Sequence, residues 1–175
     1  DYGAGTILGK RMIKKSIEGL QLIQNLLELS ANFKEAIRVE AKVVETKVDE
    51  SPYLGHGHID IYINGLDFIE NEGNLSPQSQ VLLNALVDLL SGYPEYNLKV
   101  VVFGMTREQA DKRLSVFQSY VAQTGIRLLW QVWKTNVDFV SGESERSAPN
   151  AIVTILNAYT AVSYTHLRAH ETGRN

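Results

Sequence analysis

Three groupings of side chains in this sequence could carry chemistry. His56-Gly57-His58 sets two imidazoles on one side of an extended chain, and Asp60 falls on the same side. Such a set could hold a divalent cation if a third ligand stood beside the histidines, although exposed histidines next to a turn are the simpler reading. Ser141, Gly142, Glu143, Ser144, Glu145 and Ser147 gather hydroxyls and carboxylates. No histidine stands in an evident relation to them and the Gly-x-Ser-x-Gly elbow is absent, so a solvated loop is expected there rather than a nucleophile. Trp130 and Trp133 lie three apart in a strand-like run and therefore face opposite sides. One is expected in the core. The other could stack on a sugar or a partner, with edge packing the commoner use. No glycine-rich phosphate cradle occurs, and Lys14-Lys15 reads as a solvated helix face. With no cysteine in 175 residues, disulfides and thiolate metal sites are excluded. No catalytic constellation emerges, so the expectation is a non-enzymatic protein with no cofactor and no metal.

The elements that must position these groups follow from periodicity. Met12, Ile13, Ile17, Leu20, Ile23, Leu26 and Leu27 recur at three-to-four spacing and predict a helix from Met12 to Ser30. Ile37 to Val48 alternates as a strand, with a bulge expected at Val44. After a turn over residues 49–57, His58 to Ile63 alternates again, and the two runs predict an antiparallel hairpin. Leu66, Phe68 and Ile69 are expected to cover the core from a loop. Ser76 followed by Pro77 caps a second helix running to about Leu90. Leu98 to Phe103 is apolar on both faces and predicts a central strand. Thr106 and Gln109 form a capping box for a third helix. It carries Ala110, Leu114, Phe117 and Val121, and ends at Gly125. Strands are then expected at residues 126–134 and 151–156, with a polar loop over 136–149. Two strand–helix–strand crossovers in succession predict an α+β fold: a mixed sheet with helices packed on one face, behind an N-terminal amphipathic helix.

That element order resembles the OmpA-like peptidoglycan-binding family, and particular segments carry the likeness. LSPQSQVLLNALVDLLSGYPEYNLKVVVFG is similar to the family's first helix, tyrosine-proline turn and glycine-terminated strand. QADKRLSVFQSYVAQTGI is similar to its second helix, with Arg113 on the motif arginine and Tyr120, Val121, Gly125 and Ile126 on later positions. RSAPNAIVTI resembles its last strand: Asn150 and Val153 match, while Ala151 and Ile152 replace two arginines. The resemblance implies ligand-binding roles for Gly104, Thr106, Arg113 and Asn150. In the family an aspartate pairs with the ammonium of the diaminopimelate of a stem peptide, and an arginine forks onto its carboxylate. Here the glycine-histidine-threonine-aspartate motif reads Gly104-Met105-Thr106-Arg107, so the acid has become Arg107. The gap to Arg113 is also short, by roughly nine residues. A like charge repels the ammonium, so weakened stem-peptide binding is expected.

Hydrophobic content of 44%, charged content of 21% and a net charge of -3 suit a globular domain without an electrostatic footprint for nucleic acid. The resemblance implies peptidoglycan or an envelope protein as partner, peripheral or lipid-tethered membrane association, and the periplasmic face of the outer membrane. The chain starts at Asp1 without a methionine, so any signal segment is missing from this piece rather than shown to be absent. The expected organisation is a Gly-rich linker over 1–10, an amphipathic helix and first strand over 11–57, the OmpA-like domain over 58–161, and a tail over 162–175. Val162 to Thr172, VSYTHLRAHET, reads like a translated sequencing adapter and is set aside as non-native.

Overall fold

The computed structural model describes residues 2–45, 54–69, 73–123, 137–145 and 148–161. The expected strand at 126–134, Trp130, Trp133, Ser147, Gly125, Ile126 and the 162–175 tail lie outside them. In chain order the elements are α1 (Tyr2–Asn32), β1 (Ile37–Glu45), β2 (Leu54–Ile63), β3 (Phe68–Ile69), β4 (Asn74–Leu75), α2 (Pro77–Ser91), β5 (Asn97–Gly104), α3 (Arg107–Gln123), β6 (Val137–Glu143) and β7 (Ala151–Ala161). Five strands form one sheet in the order β1-β2-β7-β5-β6, while β3 and β4 pair apart from it.

The hairpin of β1 and β2 is antiparallel, and its register shifts between Val43 and Glu45, where Val44 interrupts the alternation. Two parallel crossovers are present, the second reaching β6; the strand expected at 126–134 to complete it lies outside the described residues. β5 pairs in parallel with β6 across α3. β2 and β5 each run antiparallel to β7, so they are parallel to one another across α2, with β7 between them. The sheet is therefore mixed. Its inner face presents Ile59, Ile61 and Ile63, Leu98, Val100 and Val102, and Ala151, Val153 and Ile155, all buried. Against them pack Leu22, Leu26 and Leu29 of α1, Leu83, Leu86 and Leu90 of α2, and Phe117 and Val121 of α3. Side chains of this kind contribute about 1.5–3 kcal/mol each on burial.

Four expectations are corrected. Leu98–Phe103 is an inner strand, between β7 and β6, but only one of its faces is covered. β5 alternates in burial because helices cover only one face, leaving Lys99 exposed on the other. The polar segment expected as a loop contains β6. Val137 and Phe139 face the core at two-residue spacing, a pattern obscured by Asp138, Ser141 and Glu143 around them. His56 and His58 lie within a strand, because β2 begins at Leu54. Finally, α1 begins at Tyr2, ten residues before the expected Met12, and takes in Gly3, Gly5 and Gly9.

Candidate functional site

The resemblance directs attention to the C-terminal end of β5, and each residue there can be built from its neighbours. Gly104 ends the strand. A Cβ at Gly104 would stand 2.5 Å from the Ala110 nitrogen and 2.8 Å from its Cα. Glycine is required because the first turn of α3 lies against the strand end. Thr106 caps α3: its Oγ1 accepts the Gln109 N–H at 3.1 Å, and the Gln109 side chain accepts the Met105 N–H at 2.8 Å. The box thus closes on the residue before the cap.

Arg107 opens the helix, exposed, with its Nε 3.6 Å from Asp111 Oδ1. That same oxygen accepts the Ser141 hydroxyl at 2.5 Å. Ser141 is buried on β6, so Asp111 is held against the sheet edge. Ser141, expected in a solvated loop, thus meets a carboxylate from outside the 141–147 cluster. It has no histidine partner among the described residues. Glu108, the other acid of this turn, lies 3.4 Å from Lys112 at the surface.

Arg113 and Asn150 meet at one residue. The Arg113 Nη1 donates to the Phe103 carbonyl at 3.3 Å, and the Phe103 N–H donates to the Asn150 carbonyl at 2.9 Å. The Asn150 side-chain oxygen accepts the Leu66 N–H at 3.1 Å, and its own N–H donates to Ile63 at 2.8 Å. Asn150 thereby joins the ends of β2 and β5 to the loop before β3. The Arg113 guanidinium lies 5.3 Å from the Phe68 ring centroid. Beside it opens a cleft of about 230 Å³ between β3 and α3, lined by Phe68, Ile69, Gly73, Lys112, Arg113, Ser115 and Val116. That volume accommodates a side-chain-sized group rather than a larger ligand.

The five residues the resemblance singled out thus lie together. Of the five, the cleft's described lining includes only Arg113. Gly104, Thr106 and Asn150 are engaged in backbone packing and capping, and Arg107 points to Asp111. Lys112, Ser115 and Phe68 were missed as cleft residues. Lys112 had a signal in its position beside Arg113; Phe68 was expected to cover the core and is half-buried.

The His56–His58–Asp60 grouping resolves differently. Asp60 is nearly buried on the helix-free face. It accepts the Thr154 hydroxyl at 2.8 Å, lies 3.3 Å from Lys42 Nζ and 3.6 Å from His58 Nε2. The hydrogen bond to Asp60, and then the Tyr62 phenol's charge, raise the Lys42 pKa above the usual lysine value. Lys42 thus stands beside the carboxylate of this grouping, and among the described residues, which leave out the His56 side chain, no three potential ligands converge. Among the described residues no helix is long and apolar enough to cross a membrane.

No protein-family model matches the sequence, and no curated protein matches it. Solved structures to which the chain shows similarity include the cell wall anchor of the T6SS from Pseudomonas aeruginosa (16% identity, TM-score 0.46, covering 75% of this chain and 96% of that one). A second is a putative MotB like protein from Desulfovibrio vulgaris (11% identity, TM-score 0.49, covering 86% and 96%). A third is the OmpA-like domain of FopA1 from Francisella tularensis subsp. tularensis SCHU S4 (9% identity, TM-score 0.34, covering 70% and 96%).

Proposed function

We propose that this chain is a non-catalytic cell-envelope domain of the OmpA-like type, associated with peptidoglycan or the outer membrane, in which stem-peptide binding of the family's kind is weakened. One observation carries the weakening. The position that supplies an acid in the family holds Arg107, and the nearest acid, Asp111, is engaged by Arg107 and Ser141. An ammonium brought there meets a cation in place of an anion, a cost rather than a missing gain. Arg113 at the cleft supports a residual carboxylate contact. Placement at the periplasmic face of the outer membrane, peripheral or through a lipid tether, rests on the sequence resemblance alone.

Co-sedimentation with purified peptidoglycan tests the reading. Weak retention is expected, reduced further by Arg113→Ala and little affected by free diaminopimelate. Tight retention abolished by diaminopimelate would refute it. A second reading, a structural or protein-interaction module that has kept the fold and lost the ligand, is favoured by the engagement of Gly104, Thr106 and Asn150 within the fold. Wall retention absent in both the parent and Arg113→Ala would select it.

A further inference from the structure

We propose that Asn64 is a site of spontaneous modification: the Gly65 main-chain nitrogen displaces its side-chain nitrogen, and water completes the conversion to aspartate or isoaspartate. Asn64-Gly65 is the one asparagine–glycine pair in the 175 residues. Asparagine is a chemically labile side chain. Attack on its carboxamide by the next main-chain nitrogen is least hindered where that next residue has no Cβ. Asn64 is exposed, immediately after β2. Its side-chain nitrogen reaches the Glu35 carbonyl at 3.3 Å, a long contact at the surface. Among the described residues the Gly65 N–H meets no acceptor, which leaves its nitrogen open to the carboxamide beside it. The fold also holds the glycine in place, since a Cβ at residue 65 would stand 2.8 Å from the Ala36 Cβ. The packing that seats this loop against the turn after α1 thus demands the residue that makes its neighbour labile.

The conversion consumes water and releases ammonia, with no oxidant or reductant. The Gly65 nitrogen gives up its proton and bonds to Asn64 Cγ. The Cγ–Nδ2 bond breaks, and the side-chain nitrogen leaves as ammonia with that proton. Water then opens the resulting ring. Opening at Cγ gives aspartate; opening at the main-chain carbonyl gives isoaspartate and routes the chain through Cβ, one methylene longer. Either product removes the donor that faces the Glu35 carbonyl and adds an acceptor-only carboxylate. The longer chain also displaces Gly65 from Ala36. Just beyond it, the Leu66 and Asp67 N–H groups bond to Asn150 and Ser79 at 3.1 and 2.7 Å. The modification therefore loosens the loop between β2 and β3.

Incubation of the full chain in mildly alkaline heavy-oxygen water, followed by peptide mapping, tests this. Heavy oxygen is expected at residue 64 sooner than at any other asparagine, in both aspartate and isoaspartate forms. Asn64→Gln, whose longer side chain needs a larger ring, should lose that signal. The modified protein, separated by its added charge, should exchange the Leu66 and Asp67 amide hydrogens about tenfold faster, as the loss of one hydrogen bond allows. Its Tm should fall by about 2–4 °C. Retention of the side-chain nitrogen at residue 64 while the urea-unfolded chain loses it, or conversion no faster there than at other asparagines, would overturn the site. Unchanged exchange at Leu66 and Asp67 would overturn the loosening.

Discussion

The two helix starts that follow sheet strands make an instructive pair. α2 and α3 are both capped by a hydroxyl, Ser76 and Thr106, at 3.2 and 3.1 Å from the N–H three residues on. The surroundings differ. Ser76 is nearly buried and Ser79 fully so. Ser79 Oγ contacts Ser76 Oγ at 2.9 Å, accepts the Asp67 N–H at 2.7 Å and donates to the Gly65 carbonyl at 3.1 Å. At α3 the same device is at the surface, with Met105 57% exposed. A buried cap is part of the core and is constrained by every neighbour. An exposed cap closes a turn and leaves the adjoining side chains open to change. The polar cleft residues Lys112, Arg113 and Ser115 lie on the helix with the open start.

Five measurements would break or sharpen that contrast, in descending order of expected effect. Gly104→Ala should destabilise by about 3 kcal/mol in denaturant unfolding, because its Cβ meets the α3 backbone where little can yield. A neutral result would mean that α3 shifts freely. Ser79→Ala should cost about 2 kcal/mol, removing a fully buried hydroxyl that bonds the Asp67 N–H and the Gly65 carbonyl. Thr106→Ala should cost only about 1 kcal/mol; a loss equal to that of Ser79→Ala would erase the distinction. Alkaline titration probes the buried half through Tyr96, beyond the end of α2. Burial, and then the Glu18 carboxylate, push its phenol up from 10.0 to about 12. The folded state thus favours the neutral form, so its contribution is complete below pH 10.0 and is lost as pH rises towards about 12. Tyr96→Phe should remove that part of the alkaline loss. Arg107→Asp should change stability by less than about 0.5 kcal/mol, as a surface pair does. It should nevertheless raise affinity for diaminopimelate-containing fragments, measured by calorimetry.

The regular elements were legible because their patterns are local. Ser76-Pro77 and Thr106–Gln109 signal helix starts by themselves, and the bulge at Val44 shows as a break in alternation. What escaped depends on distant partners. β6 was hidden because Ser141 reads as a loop residue until Asp111 is beside it, 30 positions away in sequence. The structural use of Asn150 required Leu66 and Phe103, segments that no spacing rule connects to it. The cleft was half legible: Arg113 through the resemblance, its apolar wall only through the folding of β3 against α3.

The central position of β7 has a consequence for the order in which the domain can be made. β1 and β2 can pair, and β5 and β6 can pair across α3, before the last described strand exists. Neither pair touches the other without β7 between them. During synthesis the chain therefore carries two half-sheets, each with a naked edge beside an apolar face, until residues near Ala151–Leu156 emerge. The final insertion makes ladders on both sides at once. Completion of this fold is thereby a late, single event, and a break within Ala151–Leu156 divides the sheet rather than trimming it.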